Sequence, residues 1–424
     1  MLFICSLLIG AAMLGAPSQG ADTVYVEDAT HLIRPHYQGL ARRLAVSPAS
    51  IPTTGNSFET IRSGARYSEL LYSDFRSAQN VIELELFLFG RDPDGRQARD
   101  ILFQRIRDGV EVRYVHDNLG NFFDSAFDGR PVFTGYYDSL ARGGFNLRNV
   151  SPLWKVDPTW ANPHWRDHRK INIIDKKVAY TGGMNITVGS ISGWGDTMLR
   201  ITGPAVQSLR SIFLQNWNDL ATRREDRDEL ALMASGSAVS SDGAVLQAVA
   251  DGPDQKAFMV EEAMVWTLDN AREYVWFESP YFLPNRSLLK AMKRAVERGV
   301  DVWLFLPLVS DMTSFDPAYR SSLKACLDIG VRVFYRNPPF NHSKTFLCDD
   351  YIVSVGSSNF DRLSLESLYE INVYIYDEQT ALAQKAYLLD AMKDAAEADL
   401  STVKSWDFKE RFSQFLLGFI SPFL

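Results

Sequence analysis

The chain has 424 residues, of which 46% are hydrophobic and 23% are charged. These values are close to globular averages and exclude a disordered chain or a coiled coil, and the length predicts two or three domains of roughly 100–200 residues each. The formal net charge of −8 argues against a protein that coats nucleic acid. The three cysteines, Cys5, Cys326 and Cys348, lack the number and spacing of a disulfide framework or a zinc cluster.

The N-terminal residues 1–21 are predicted to be a signal peptide or a membrane anchor. They are almost wholly apolar as far as Ala16, and the first charged side chain is Asp22. The apolar stretch is shorter than the ~20 residues of a stable membrane helix, and small residues at Ser18 and Gly20 would allow cleavage after Gly20. No Lys or Arg precedes the apolar run, so an uncleaved anchor or a buried first helix remains the alternative.

Each half of the chain then contains a βαβ pattern. Apolar strand-like runs flank an amphipathic helix-like run at 81–89, 97–107 and 110–116, and again at 274–277, 287–298 and 300–306. Strands that alternate with helices predict an α/β fold with right-handed crossovers, in which mainly parallel sheets are covered by helices. The repeat indicates two similar lobes that pack pseudo-symmetrically.

These patterns also predict the domain boundaries. We expect an N-terminal lobe at 22–225, a linker at 226–255 and a C-terminal lobe at 256–407. The linker is predicted because a charge run gives way there to Ala, Ser, Gly and Asp. Residues 408–424 form an amphipathic, aromatic-rich tail; such a stripe is more often core than membrane contact, and docking on a bilayer is the alternative.

A duplicated motif carries the chemistry. The first copy is HRKINIIDKKVAYTGGMN and the second is HSKTFLCDDYIVSVGSSN. In both copies Lys, Asp, Asn and a later carboxylate follow the histidine at offsets of 2, 7, 17 and 28 residues. The residues are His168, Lys170, Asp175, Asn185 and Asp196 in the first half and His342, Lys344, Asp349, Asn359 and Glu370 in the second.

The spacing has a physical reason. Side chains at i and i+2 of a strand share one face, so each half presents an imidazole beside an ammonium. Lys suits phosphate oxygens, Asn adds amide donors, and small residues such as Gly182 and Gly183 let the backbone approach closely. Two such half-sites predict a phosphate cradle in which one histidine attacks phosphorus and the other protonates the leaving oxygen, with no metal or other cofactor. The duplicated motif is chemically symmetric, so the order of the histidines stays open.

The duplicated HxKxxxxD pattern resembles that of the phospholipase D superfamily. The stretches ESPYFLPN, GSSNFDRLSL and RITGPAV are similar to those of its bacterial cardiolipin synthase branch. The resemblance implies two phospholipase D-like lobes and metal-independent transfer of a phosphatidyl group through a phosphohistidine. The expected reaction joins two phosphatidylglycerols into cardiolipin; hydrolysis of phospholipids is the close alternative, and a nuclease or other phosphodiesterase is a less favoured one.

The resemblance also implies residue roles and a location. His168 would be the nucleophile and His342 the general acid and later the base. Asp196 and Glu370 would orient the histidine rings. Asp175 and Asp349 belong to the catalytic motif, although bracing of its backbone is the expected role. The proposed phosphate ligands are Lys170, Lys344, Asn185 and Asn359. The partners would be phospholipids and a membrane surface rather than nucleic acid or metal, and the protein would be exported or membrane-associated, at the periplasmic face or the inner membrane.

Overall fold

The computed structural model describes residues 22–120, 135–150, 166–221, 230–237, 243–253, 258–308 and 316–399. The predicted leader at 1–21 and the predicted tail at 408–424 lie outside these ranges. In the described part of the chain, no helix combines the length and the apolar character needed to cross a membrane.

Twenty strands and ten α-helices are described. The strands are β1 Asp22–Asp28, β2 Thr53–Ile61, β3 Val81–Leu86, β4 Glu111–His116, β5 Asn146–Asn149, β6 Arg166–Asp167, β7 Lys170–Ile174, β8 Val178–Gly182, β9 Met198–Thr202, β10 Leu230–Ser237, β11 Ala244–Asp251, β12 Tyr274–Glu278, β13 Phe282–Leu283, β14 Asp301–Pro307, β15 Arg332–Arg336, β16 Thr345–Cys348, β17 Ile352–Gly356, β18 Phe360–Asp361, β19 Leu368–Tyr376 and β20 Ala396–Glu397. The helices are α1 Gln38–Leu44, α2 Gly64–Ser77, α3 Pro93–Arg107, α4 Tyr136–Arg142, α5 Ala205–Asp219, α6 Met259–Asn270, α7 Arg286–Glu297, α8 Asp316–Asp328, α9 Arg362–Glu366 and α10 Glu378–Met392.

One large sheet runs through both lobes. Its order is β20-β15-β14-β12-β16-β17-β19-β11-β2-β9-β8-β7-β3-β4-β5, and β6 pairs with β19 off this path. The two ends of the sheet repeat each other: β3, β4 and β5 are parallel, as are β12, β14 and β15. The α/β class and the duplicated lobes predicted from the sequence are therefore confirmed.

The expectation of mainly parallel sheets is wrong in detail, because the large sheet is mixed. The strands that carry the motif, β7 with β8 and β16 with β17, pair antiparallel. Each pair is joined by a tight turn with two positive-φ residues, Asp175 and Lys176 in one lobe and Asp349 and Asp350 in the other. Such hairpin turns can connect only antiparallel neighbours, whereas the βαβ crossovers account for the parallel strands.

Both predicted βαβ units are present, with small shifts at the element ends. Helix α3 begins at Pro93, ahead of the predicted 97, because the Asp92 side chain accepts a hydrogen bond from the Gly95 amide at 2.9 Å. Helix α7 begins in the same way, since Asn285 accepts from the Leu288 amide at 3.0 Å. In each case the N-cap side chain satisfies an amide that the helix itself cannot.

The predicted linker at 226–255 needs a correction. Its residues include β10, which pairs with β1, and β11, which pairs antiparallel with β19 on one side and β2 on the other. Leu246, Ala248 and Val249 of β11 are buried. The Ala-rich segment that was predicted to be a linker therefore contains β11, the strand that completes the sheet between the two lobes.

Candidate active site

The two motifs meet through their backbones. The chain before His168 runs beside the chain before Glu370, and the His168 amide donates to the Tyr369 carbonyl at 2.9 Å. The second half repeats this arrangement, because Gly195 bridges Asn341 and the His342 amide donates to the Gly195 carbonyl at 2.6 Å. Each histidine is therefore held against the segment that carries the other half's carboxylate.

The carboxylates pair with the histidines across the lobes. His168 Nδ1 lies 2.9 Å from Glu370 Oε1, and His342 Nδ1 lies 2.7 Å from Asp196 Oδ2. Both carboxylates are buried. The sequence predicted these four residues but not which carboxylate serves which ring. With Nδ1 engaged, Nε2 is the ring atom that can react in each histidine.

The carboxylates are positioned differently in the two halves. A side chain at Gly183 would place its Cβ 2.1 Å from Asp196 Oδ1, so a glycine is needed for the Asp196 carboxylate to fit. The matching residue in the second half, Ser357, instead donates its hydroxyl to Glu370 and accepts from the Ile371 amide at 3.0 Å. The Gly–Asp and Ser–Glu combinations thus bring two carboxylates of different length to equivalent rings.

The two lysines are fully buried beside the rings. Lys170 Nζ donates to the His168 carbonyl, and Lys344 Nζ donates to the His342 carbonyl and lies 2.8 Å from His342 Nδ1. Burial lowers the pKa of Lys170 to about 7, although the Glu370 carboxylate acts in the opposite direction. Two buried amino groups beside the imidazole rings favour an anionic ligand, which would stabilise their charged forms.

The histidine pKa values are lowered as well. Burial lowers the pKa of His168, and Lys170 adds to this, while Glu370 opposes it. Burial and Lys344 lower the pKa of His342 to about 4. Burial acts to raise the pKa of Glu370, but contacts with His168, Lys170 and Ser357 outweigh it and hold that pKa below its usual value. The lowered pKa values favour the neutral form of both imidazoles, so the ring that acts as an acid must first gain a proton.

The two motif asparagines lie in the loops that follow β8 and β17. Asn185 Oδ1 accepts from the Leu88 amide at 3.1 Å, which leaves the side-chain NH₂ as its donor group. Asn359 is also buried, and its Oδ1 has no hydrogen-bond partner among the described residues. Their assignment as phosphate ligands stays a prediction.

The motif aspartates lie at the opposite ends of the motif strands from the histidines. Asp175 accepts from the amides of Gln79, Asn80 and Val81 at 2.7, 2.7 and 3.0 Å. Asp349 accepts from Arg272, Glu273 and Tyr274 at 2.8, 2.9 and 2.9 Å. Grouping them with the catalytic residues therefore needs a correction: each fastens the hairpin turn to the start of a neighbouring strand.

We expect Asp175→Ala to lower the free energy of unfolding by about 2 kcal/mol, since three amides lose their acceptor and Asp175 has a positive φ of 49°. Asp175→Gly removes the carboxylate without the φ strain. Asp100→Ala, at an exposed position of helix α3, is the control and should change stability by less than about 0.5 kcal/mol. The amide contacts outweigh burial and lower the pKa of Asp175. Its stabilisation is therefore present above about pH 4 and lost as the pH falls through the folded pKa, so the urea midpoints of wild type and variant should converge in acid. Equal midpoints at pH 7 would contradict this role.

Sequence reasoning missed several aromatic rings around the histidines. Phe87 meets the His168 ring edge-on with a centroid distance of 5.4 Å. Trp194 and Phe340 lie 4.9 and 5.9 Å from the His342 ring. Tyr281, in the ESPYFLPN stretch, lies 6.4 Å from it. Trp194 and Phe340 could have been found by the period of two, because each precedes a motif residue, Asp196 or His342, by two positions.

Arg169, between the first motif's His and Lys, faces the other side of the strand. It donates to the carbonyls of Glu370 and Asp251 at 3.2 and 2.8 Å and lies 3.6 Å from the buried Glu85 carboxylate. The arginine therefore ties the first motif to the strand that carries Glu370.

Over the described ranges, no group of three or more His, Cys, Asp or Glu side chains is arranged to hold a metal ion.

Comparison with known proteins places these features among lipid enzymes. The sequence model of a family described as cardiolipin synthase, PLD-like domain, matches residues 71–217 and 264–390, one motif in each range. The chain is 29% identical over 391 residues to the cardiolipin synthase of Alkalihalophilus pseudofirmus, covering 91% of this chain and 75% of that one. It is 29% identical over 393 residues to cardiolipin synthase 2 of Staphylococcus aureus, covering 90% and 77%.

Solved structures agree on the fold. The phosphatidylserine synthase of Haemophilus influenzae aligns with a TM-score of 0.63 at 13% identity, over 90% of this chain and 97% of that one. The polyphosphate kinase of Porphyromonas gingivalis aligns with a TM-score of 0.51 at 13% identity, over 82% and 49%. At such identities the likeness concerns the fold alone.

Proposed function

Because the chain belongs to the cardiolipin synthase, PLD-like domain family and is therefore an enzyme of the phospholipase D superfamily, we propose that it transfers a phosphatidyl group from one phosphatidylglycerol to another, forming cardiolipin and glycerol. The observation that carries the proposal is the crossed pair of histidine–carboxylate contacts, with a buried lysine beside each ring. The sequence relatives supply the lipid class, since both carry the name cardiolipin synthase.

In the first step, Nε2 of His168 attacks the phosphorus of the donor lipid. The phosphorus–nitrogen bond forms as the bond from phosphorus to the oxygen of the headgroup glycerol breaks. Nε2 of His342 gives its proton to that oxygen, and glycerol leaves. The lysines balance the charge on the equatorial oxygens. The negative phosphodiester raises the pKa of His342 from its low value in the free site, so the substrate itself supplies the conditions for His342 to be protonated.

In the second step, the hydroxyl of a second phosphatidylglycerol attacks the phosphohistidine. His342 takes the hydroxyl proton, the new phosphorus–oxygen bond forms, and the electron pair of the broken phosphorus–nitrogen bond returns to His168. Water in place of the lipid alcohol gives phosphatidic acid by the same step. Both lipids reside in a bilayer, which supports the proposal that the enzyme works at a membrane surface; the exported or anchored location predicted from residues 1–21 belongs to the same proposal.

The test uses the purified full chain and phosphatidylglycerol vesicles, with lipids and glycerol identified by mass spectrometry. We expect cardiolipin as the main lipid product and phosphatidic acid as a minor one, with glycerol equal to the sum of the two, because each route releases one glycerol. Vesicles of phosphatidylcholine alone, which offer no hydroxyl on the headgroup, serve as the control and should give no cardiolipin. Phosphatidic acid as the sole product would replace the transferase with a hydrolase, and the absence of both products would contradict the proposed lipid chemistry.

A further inference from the structure

The surroundings of the two histidines differ although the motifs match. Beside His342 stand Trp194, which precedes Asp196 by two residues, and Phe340, which precedes His342 by two. Their centroids lie 4.9 and 5.9 Å from the imidazole and 5.5 Å from each other. Both rings are half-buried, so they combine a contact with His342 and a surface that a ligand can cover.

The equivalent positions beside His168 have different side chains. Leu368 precedes Glu370 by two residues and Arg166 precedes His168 by two. Both are buried, and Arg166 Nη1 lies 3.6 Å from Asp117 Oδ1. One end of the site thus has a buried ion pair and a leucine where the other end has two partly exposed aromatic rings.

The loop that carries Trp194 holds its ring in place. The Trp194 amide donates to the Gly189 carbonyl at 2.8 Å. A Cβ at Gly189 would lie 3.2 Å from Trp194 Cζ2, so the indole packs directly on the Gly189 backbone. The Gly195 amide donates to the Phe340 carbonyl at 2.9 Å, which ties the two aromatic segments together across the lobes. The Trp194 ring is therefore a fixed feature of the site, and the Phe340 backbone is held beside it with the two rings in contact.

We propose that Trp194 and Phe340 form the acceptor side of the site and that they direct the reaction to a lipid alcohol rather than to water. The inference rests on the proposed function, in which His342 removes the proton of the acceptor hydroxyl, so the acceptor must approach that ring. Aromatic faces offer water no strong hydrogen bonds, whereas the glycerol carbons of a lipid alcohol gain by covering them. Water that does reach the phosphohistidine takes the same path as the alcohol and releases phosphatidic acid.

The experiment measures the ratio of phosphatidic acid to cardiolipin made from phosphatidylglycerol vesicles. We expect Trp194→Ala and Phe340→Ala each to raise this ratio about five- to tenfold, the effect of losing a modest apolar contact with the favoured acceptor. Trp194→Phe and Phe340→Leu keep much of the apolar surface and should lie between the alanine variants and the wild type. Because a ratio is measured, a smaller folded fraction does not change the result.

Two variants serve as controls. Trp303→Ala also removes an indole, but one on β14 that stacks on Trp276 of β12. Its ratio of phosphatidic acid to cardiolipin should equal that of the wild type. Phe87→Ala acts at the His168 end and should lower total turnover with the ratio little changed. If the Trp194 variants do not fold, the product ratios of Phe340→Ala and Phe340→Leu test the proposal on their own.

The outcomes separate the two proposals. A wild type that makes cardiolipin, with variants at Trp194 and Phe340 that keep its product ratio, would overturn the acceptor-side assignment and leave the proposed function intact. A wild type that makes neither lipid would overturn the proposed function itself. A rise in the ratio for Trp303→Ala as large as that for Trp194→Ala would also overturn the assignment, because the effect would then not be specific to the rings beside His342.

Discussion

His168→Ala is expected to abolish formation of both cardiolipin and phosphatidic acid, with a loss of at least about 10⁴-fold in kcat. The reason is that, in the proposed mechanism, transfer and hydrolysis share one covalent intermediate on this ring. The measurement is product formation from phosphatidylglycerol vesicles, with circular dichroism to show that the variant is folded. His31→Ala, at an exposed position shortly before helix α1, is the matched control and should keep wild-type turnover.

The same reasoning predicts a different behaviour for His342→Ala. A donor lipid that carries p-nitrophenol as the leaving group needs no proton from an acid, so the first step can proceed without His342. We expect His342→Ala to release about one equivalent of nitrophenolate per enzyme in a burst and then stall, and His168→Ala to give no burst. A burst from His168→Ala would reverse the assigned order of the histidines.

The second large effect concerns the crossed carboxylates. Glu370→Gln and Asp196→Asn are each expected to lower kcat by about 10²- to 10⁴-fold, because an amide no longer fixes the tautomer of the ring or stabilises its protonated form. Glu366→Gln makes the same chemical change four residues earlier on helix α9, at a half-buried carboxylate that contacts Asn285 and Arg362 instead of a histidine, and should stay within about threefold of the wild type.

The pairing across the lobes can be tested by titration. Glu370 raises the pKa of His168, against the lowering by burial and Lys170, and Asp196 does the same for His342. Glu370→Gln should therefore lower the pKa of His168 further and leave that of His342 nearly unchanged, while Asp196→Asn should do the reverse. Nitrogen-15 NMR of labelled histidines measures both. The crossed contacts would be contradicted if Glu370→Gln changed the pKa of His342 instead, or if Asp196→Asn changed that of His168.

The repeat made much of this site predictable. Matching offsets identified His168, Lys170 and their counterparts without any knowledge of the fold, and the period of two placed each pair on one strand face. Local spacing carries this information because neighbouring residues in a strand have a fixed geometry. The β7–β8 and β16–β17 hairpins recur in the two lobes, but their antiparallel pairing was not predicted from the sequence.

The partners across the lobes could not be read from the sequence. Glu370 follows His168 by 202 residues, and a symmetric motif allows pairing within a copy as well as between copies. The mixed sheet and the role of β11 were missed for a related reason: strand order depends on contacts between distant segments, and an Ala-rich strand such as β11 resembles a connection when it is considered alone. Trp194 and Phe340 lie outside the motif; their spacing of two from Asp196 and His342 was a signal in the sequence, and their contact with His342 shows that they belong to the site.

The most direct measurement of the central claim is the location of the covalent intermediate. His342→Ala is incubated with the p-nitrophenol donor lipid, quenched in alkali, where phosphohistidine survives, digested and mapped by mass spectrometry. The proposed mechanism predicts a phosphatidyl group, or the phosphate left from it, on the peptide that contains His168. Nitrophenolate release with no modified histidine, or with the modification on any other residue, would contradict it.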